Sequence, residues 1–206
     1  QPSLEAQLAN LADEIAYNNH DIDDGLRAGL LTVPQLREVP LFRRHHDMVL
    51  QAYGPLPPKQ ERHETIRRIM STFVEDLTST SAGRIADSGV QHIDEVRAQQ
   101  APLMSYSEAM RAEIVELKRF LHAQLYRHHQ VYRVMNKAQR VVRDLFAALF
   151  EDLRLMPPEF AIAAASIEAE DGAEGRARVV ADYIAGMTDR YALDEHERLF
   201  DPRRLR

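Results

Sequence analysis

The sequence predicts an all-α protein, and three observations carry that prediction. Apolar residues recur at helical spacing through most of the chain. No segment alternates apolar and polar residues clearly enough to predict a strand, and no internal repeat is evident. Segments rich in proline or glycine separate the periodic stretches. We therefore predict a multi-helix array held together by helix–helix packing.

The first predicted helix begins at Ser3 and ends before Gly29, a plausible C-terminal stop. Its apolar stripe has helical spacing and consists of Leu4, Leu8, Leu11, Ile15, Ile22 and Leu26. A second helix is predicted from Thr32, because Thr32-x-x-Gln35 is a capping-box pattern with proline in the first turn. The segment 54–58, Gly-Pro-Leu-Pro-Pro, breaks the chain again.

The middle of the chain continues with a periodic stretch from Ile66 to Leu77. We expect this helix to fray across the Ser/Thr-rich segment 78–83, and residues 87–102 to form a loop or an edge segment. A second capping-box pattern, Ser105-x-x-Glu108, predicts the start of a helix that continues through Leu125.

The last third of the sequence predicts another helix from about Val131 to Leu153, ended by two prolines. An acidic linker containing glycine, residues 168–175, is expected next. A final helix from Val179 to Tyr191 and a short tail helix complete the predicted order.

Composition limits the class of protein. The chain has 206 residues, 45% hydrophobic and 28% charged, which is typical of a globular protein with a sizeable core. It has no cysteine, which excludes disulfides and thiolate metal sites and fits a cytoplasmic location. No apolar run approaches the roughly 20 residues that span a bilayer, so no membrane association is expected. A net charge of −6 argues against generic nucleic-acid binding.

The first helix carries an unusual acidic face. Asp13, Tyr17 and Asp21 lie within about 80° of one another on a helical wheel, opposite the apolar stripe. No lysine or arginine occurs between Gln1 and Leu26. Periodicity alone leaves two interpretations open, a solvated acidic face or one wall of a divalent-cation site, since carboxylates are hard ligands. One helix cannot supply a full ligand set, so other ligands must come from elsewhere.

Histidines and cations recur later in the chain. His20-Asp21 and His46-Asp47 are His-Asp pairs, but the 45–47 segment follows two arginines and is predicted to form a solvated, charge-balanced face. His128 and His129 either contact a phosphate or lie at a helix junction. The basic stretch 118–143 either neutralises a triphosphate or nucleic acid, or is an ordinary exposed face or subunit contact.

Three segments carry a family resemblance. Residues 9–25, ANLADEIAYNNHDIDDG, resemble the last metal motif of bacterial deoxyguanosine triphosphate triphosphohydrolases, which belong to the HD-domain phosphohydrolase superfamily. Residues 180–191 resemble that family's closing helix, and residues 117–128 are similar but weaker. The segments occur in the family's order along the whole chain, so the resemblance implies an HD-domain-like helical array.

The resemblance also implies a reaction. These enzymes hydrolyse a deoxynucleoside triphosphate to a deoxynucleoside and triphosphate with a divalent metal, Mg²⁺ or Mn²⁺. It implies that Asp13 is the final metal ligand, that Tyr17 lies under the deoxyribose and crowds out a 2′-hydroxyl, and that Asp21 accepts from the 3′-hydroxyl. Lys118 roughly matches a basic residue near the phosphates. The resemblance assigns no catalytic residue to this chain, only the metal ligand Asp13 and the substrate-binding residues Tyr17, Asp21 and Lys118.

The sequence departs from the family at one point. The family's metal-binding His and His-Asp pair precede the motif, whereas only twelve residues, none of them His, precede Asp13. We therefore expect residues 1–31 to be the last helix of the catalytic HD core. Residues 32–206 are then the C-terminal helical region that completes the nucleotide pocket and the oligomer contacts, and the chain alone is expected to be inactive.

An alternative function remains open at this point. The chain could be a non-catalytic helical module for oligomerisation or nucleotide sensing. The resemblance also implies a homo-oligomer and a possible effector, either single-stranded DNA or a nucleotide.

Overall fold

The computed structural model describes residues 1–203, and within them every regular element is helical. This confirms the predicted all-α class. The α-helices are α1 Leu4–Arg27, α2 Val33–Leu36, α3 Pro40–Tyr53, α4 Pro58–Ser88, α5 Ile93–Arg97, α6 Glu108–Leu121, α7 His129–Glu151, α8 Pro158–Ala185 and α9 Asp189–Phe200. The chain forms two compact units, Gln1–His128 and the residues from His129 onward. None of the described helices is long and apolar enough to cross a membrane.

The first unit is built around a core in which α1, α3, α4 and α6 pack against one another. The core side chains include Ile22, Phe42, Ile69, Phe73, Ile114, Leu117 and Leu121, all almost fully buried. Two ion pairs join the same helices: Arg62 Nε lies 2.6 Å from Asp23 Oδ1, and Arg44 lies 2.8 Å from Glu113. The core thus fixes α1 and α6 side by side.

The C-terminal end of α1 depends on two glycines. Gly29 has φ +68°, a left-handed conformation that glycine adopts without steric cost, and it ends the helix as the sequence predicts. Gly25 is needed for space, because a Cβ there would lie 2.6 Å from Leu31 Cδ1 and 3.4 Å from Leu125 Cδ1. The absence of a side chain at Gly25 therefore lets Leu31 pack directly against α1, with Leu125 beside it.

The predicted apolar stripe of α1 is only partly buried. Ile15 and Ile22 belong to the core, whereas Leu8 is 42% exposed. Gln7 is buried instead, because its Oε1 accepts hydrogen bonds from the backbone N–H groups of Leu103 and Met104 at 2.9 and 3.1 Å. A tertiary contact thus decides which face of the first turns is covered.

The Thr32 capping box is confirmed, but the expected fraying of α4 is wrong. The helix continues through the Ser/Thr-rich segment to Ser88, because Leu77 and Ser81 lie on its buried face. Ser81 Oγ accepts from the backbone N–H of Ser105 at 3.0 Å. The predicted loop at 87–102 is also partly wrong, since it contains the short helix α5.

The start and end of α6 differ from the prediction. Ser107, not Ser105, is the N-cap, and its Oγ accepts from the Met110 N–H at 3.2 Å. Ser105 Oγ instead accepts from Arg111 Nη2 at 2.5 Å. The helix does not continue as a regular α-helix through Leu125, because a π-helical turn, His122–Tyr126, follows Leu121.

The second unit consists of α7, α8 and α9, packed around Leu149, Ala164 and Val180. The predicted helix from Val131 to Leu153 corresponds to α7. The predicted linker at 168–175 is wrong, since α8 runs through it with a kink at Gly172, where φ is +67°. The predicted single helix from Val179 to Tyr191 is also wrong. Helix α8 ends at Ala185, and Thr188 caps α9 by accepting from the Tyr191 N–H at 3.3 Å.

Candidate functional site

A cleft of about 500 Å³ lies between α1, α6 and the π-helical turn of the first unit. Its lining includes Asp13, Tyr17, Asp21 and Lys118, so the fold brings together the four residues singled out from the sequence. Asn10, Glu14, Asn18, Leu121, His122 and Tyr126 complete the lining. The first three predicted residues share a cleft because a spacing of four keeps side chains on one helix face.

Among the carboxylates that line this cleft, Asp13 is the one without a hydrogen-bond or ion-pair partner in the described part of the chain. It is exposed, and within residues 1–203 no hydrogen bond or ion pair to it is seen. The same residues contain no group of three or more His, Asp or Glu side chains that could hold a metal ion. A hard cation usually takes six or more oxygen ligands, so Asp13 fits a single ligand position of a divalent metal.

Tyr17 places an aromatic ring in the cleft without covering it. The Tyr17 side chain is 63% exposed although it lies in the middle of α1. The next two residues, Asn18 and Asn19, are almost fully buried. An exposed ring at the wall of a polar cleft is a surface for stacking or for apolar contact with a ligand.

Asp21 has a partner that the sequence did not indicate. The Tyr126 hydroxyl donates a hydrogen bond to Asp21 Oδ2 across 105 positions of sequence. That hydrogen bond, followed by burial, raises the pKa of the Tyr126 hydroxyl to about 12. The raised pKa extends the pH range in which Tyr126 is a protonated donor, and Asp21 keeps its second oxygen, Oδ1, for another donor.

Lys118 is neutralised by Glu14. Its Nζ lies 2.8 Å from Glu14 Oε1, and the two side chains are 49% and 27% exposed. Together with the Arg62–Asp23 pair, this contact supplies cations from α6 and α4 to a helix that has none before Arg27. An exposed ion pair of this kind contributes only about 0–1 kcal/mol, so an anionic ligand could take Lys118 from Glu14 at little cost.

Several residues of the cleft were not predicted from the sequence. Glu14, Asn18 and Tyr126 are polar neighbours of the predicted residues, and Asn18 Nδ2 is buried without a hydrogen-bond partner in the described structure. Asn18 and Glu14 could have been found, since they adjoin the acidic face of α1 in sequence. Tyr126 carried no comparable signal because its position depends on the π-helical turn.

The predicted solvated face at His45-His46 is wrong, because both histidines are buried in α3. His46 stacks on Phe42, and its ring nitrogens lie 2.7 Å from Arg37 Nη1 and 2.7 Å from Glu61 Oε1. Both ring nitrogens of His45 are buried without a hydrogen-bond partner among the described residues. These side chains serve the packing of the first unit.

The buried ring of His45 predicts a pH-dependent stability. Burial, followed by the charge of Arg44, lowers the pKa of His45 from its usual 6.5; Glu113 opposes this shift and Arg68 adds to it. Because the unfolded chain takes up a proton near pH 6.5 and the native state does not, stability is full above that pH and is lost below it, down to the native pKa. The loss is about 1.4 kcal/mol for each unit of lowering.

Urea unfolding at pH 7.5 and 5.5 checks this expectation with His45→Gln, which cannot titrate, and with His20→Gln as a control at an exposed histidine. We expect the loss of stability between the two pH values to shrink in His45→Gln and to persist in His20→Gln. Equal losses in wild type and His45→Gln would refute the assignment to His45.

Comparisons with known proteins bear on the family of this chain. The family model for the phosphohydrolase-associated domain matches residues 104–198. A deoxyguanosinetriphosphate triphosphohydrolase-like protein of Bordetella pertussis is 52% identical over 98% of this chain and 50% of its own length. Its namesake in Thiobacillus denitrificans is 50% identical over 97% of this chain and 51% of its own length. The resemblance to this family is confirmed.

The match to the triphosphohydrolase-like family includes both compact units, because nearly all of the chain aligns. The chain spans about half the length of the curated relatives it matches, and the same holds for the namesake in Ralstonia nicotianae, at 49% of its length. The division at residue 31 and the site roles stay predictions, as do the homo-oligomer, the effector and the cytoplasmic location.

Proposed function

We propose that this chain supplies the nucleotide-binding wall of a metal-dependent deoxynucleoside triphosphate triphosphohydrolase, one that acts on dGTP or a related nucleotide. The observation that carries the proposal is the convergence of Asp13, Tyr17, Asp21 and Lys118 on one cleft of about 500 Å³. The names of the relatives, deoxyguanosinetriphosphate triphosphohydrolase-like proteins, support the substrate class.

Asp13 is proposed as one ligand of the metal. Its free, exposed carboxylate has the donor chemistry of a Mg²⁺ or Mn²⁺ ligand, and we place the remaining protein ligands outside the described residues. When bound, the metal lowers the pKa of a water molecule and offsets negative charge on the phosphoryl oxygens.

Tyr17 and Asp21 are proposed to select the sugar. The exposed ring of Tyr17 offers apolar area in the cleft, and we propose that it lies against the 2′-carbon of a deoxyribose and crowds out a 2′-hydroxyl, as the family resemblance implies. Asp21 Oδ1 accepts from the 3′-hydroxyl, a bond that is strengthened because the acceptor is ionised. The two residues, one helical turn apart, thus distinguish a deoxynucleotide from a ribonucleotide.

Lys118 is proposed to contact the phosphates after exchanging Glu14 for a phosphate oxygen. The exchange replaces a partly exposed ion pair by a pair with a more highly charged anion. Glu14 would keep Lys118 extended towards the cleft before the nucleotide arrives.

The reaction products test this proposal. The natural protein that carries this sequence, purified with Mg²⁺ or Mn²⁺, is incubated with each of the four dNTPs and with GTP, and phosphorus NMR identifies the phosphate released. We expect intact triphosphate from at least one dNTP and much slower hydrolysis of GTP. Release of pyrophosphate alone, or no hydrolysis of any dNTP, would contradict the proposal.

A nucleotide-sensing module is the second candidate. It is favoured by one observation, the lack of a full metal-ligand group within residues 1–203. A dNTP that raises the melting temperature of the natural protein without being hydrolysed, in the presence of either metal, would support sensing over catalysis.

A further inference from the structure

Tyr126 is one of the cleft residues to which neither the sequence nor the family resemblance assigned a role. It follows Leu125 on the π-helical turn His122–Tyr126, and its hydroxyl donates to Asp21. Turns of this type are rare and occur frequently at functional sites, because the extra residue per turn redirects the side chains that follow.

The core fixes the position of this turn. Leu121 and Leu125 are both buried and anchor its two ends, and Leu125 packs at Gly25, one helical turn beyond Asp21 on α1. A Cβ at Gly25 would touch Leu125 Cδ1 at 3.4 Å, so the two residues lie in direct contact across the helix surface. The residue after Leu125 thereby lies within reach of Asp21, and the His122 ring, 6.4 Å from the Tyr126 ring in an edge-on contact, lies beside it.

The hydrogen bond has a consequence for the acceptor. A free carboxylate on a helix surface samples several rotamers, whereas one oxygen of Asp21 is held by Tyr126 and the other is left to a ligand. A tyrosine hydroxyl is protonated throughout the neutral range even at its ordinary pKa of about 10, so Tyr126 is available there as the donor to Asp21. Its side chain is 49% exposed, so this contact is formed at the cleft wall and is not needed to fill the core.

We propose that Tyr126 is a positioning residue that orients the Asp21 carboxylate towards a sugar 3′-hydroxyl and so sets the preference for nucleotides that carry one. The inference rests on the proposed function, since it deepens the role of Asp21. Tyr126 itself does not touch the reacting phosphorus, so its effect is confined to substrates that possess the hydroxyl.

The test compares kcat/KM for a dNTP and for the matching 2′,3′-dideoxynucleotide in the natural protein. The variants are Tyr126→Phe and, as a matched control, Tyr53→Phe, which also removes a tyrosine hydroxyl that donates to a carboxylate, Glu64, but outside this cleft. In Tyr126→Phe we expect the ratio of the two constants to fall about 3- to 10-fold, the worth of one hydrogen bond, with the dideoxynucleotide constant unchanged. Tyr53→Phe should keep the wild-type ratio.

Several outcomes decide the matter. If the ratio of kcat/KM for the dNTP to that for the dideoxynucleotide is unchanged or raised in Tyr126→Phe, the inference is overturned while the proposed function stands. An equal fall of kcat/KM for both substrates is such an unchanged ratio. In an Asp21→Asn background, Tyr126→Phe should leave the ratio unchanged, and a further fall there also overturns it. A wild-type protein that hydrolyses no dNTP overturns both this inference and the proposed function.

Discussion

Replacement of Asp13 by asparagine is expected to lower the kcat/KM of the natural protein for its preferred dNTP by more than about 100-fold. Loss of a mere supporting partner of a metal ligand already costs about 10- to 100-fold, and Asp13→Asn removes the charge of a proposed direct ligand. The fold should survive, because Asp13 is exposed and has no partner among the described residues. The free energy of unfolding of the protein should change by less than about 0.5 kcal/mol.

A control on the same helix separates metal binding from general charge. Asp24→Asn removes an equally negative side chain, 73% exposed and outside the cleft, whose contact with Arg27 is loose at 3.7 Å. We expect Asp24→Asn to keep its activity within about 2-fold. Equal losses in the two variants, or near wild-type activity in Asp13→Asn at limiting metal, would argue against Asp13 as a ligand.

Replacement of Phe73 by alanine is expected to destabilise the first unit by about 3–5 kcal/mol. Phe73 is fully buried on α4, and its ring meets that of Tyr106 edge-on, with 6.3 Å between the centroids. Truncation loses the transfer free energy of the ring and leaves a cavity between helices that pack on α1. Because α1 carries the proposed site, reduced activity at higher temperature should accompany the loss.

Urea unfolding measures this effect, with Val74→Ala as the control. Val74 is the next residue of α4 and is 48% exposed, so its truncation should change the unfolding free energy by less than about 0.5 kcal/mol. A comparable small change in Phe73→Ala would show that this core does not support the first unit as described.

Local sequence signals predicted the elements whose causes are local. The Thr32 capping box, the length of α7 and the stop at Gly29 depend on residues within one or two turns, and the structure confirms them. The common face of Asp13, Tyr17 and Asp21 follows from helix periodicity alone. The roles of these residues came instead from the family resemblance, since periodicity was equally consistent with a solvated acidic face.

Features that depend on distant contacts could not be predicted. Helix α4 continues through Thr and Ser residues of modest helix propensity because Ser81 bonds Ser105, which lies 24 positions away. His46 contacts Glu61 of α4, and His45 lies near Arg68 of α4 and Glu113 of α6. These neighbours come from distant parts of the sequence, so the burial of the two histidines could not be read from their own helix. Tyr126 reaches Asp21, which lies 105 positions away, from a π-helical turn. Each of these contacts joins segments far apart in sequence.

A crystal structure of the natural protein with Mn²⁺ and a non-hydrolysable dNTP analogue would show whether the metal and the nucleotide bind in this cleft. The proposed function predicts Mn²⁺ within about 2.3 Å of an Asp13 carboxylate oxygen, the typical range for a hard cation. It also predicts the deoxyribose against the Tyr17 ring and the 3′-hydroxyl within hydrogen-bond distance of Asp21. A nucleotide bound away from this cleft, or a metal ion bound without Asp13, would contradict it.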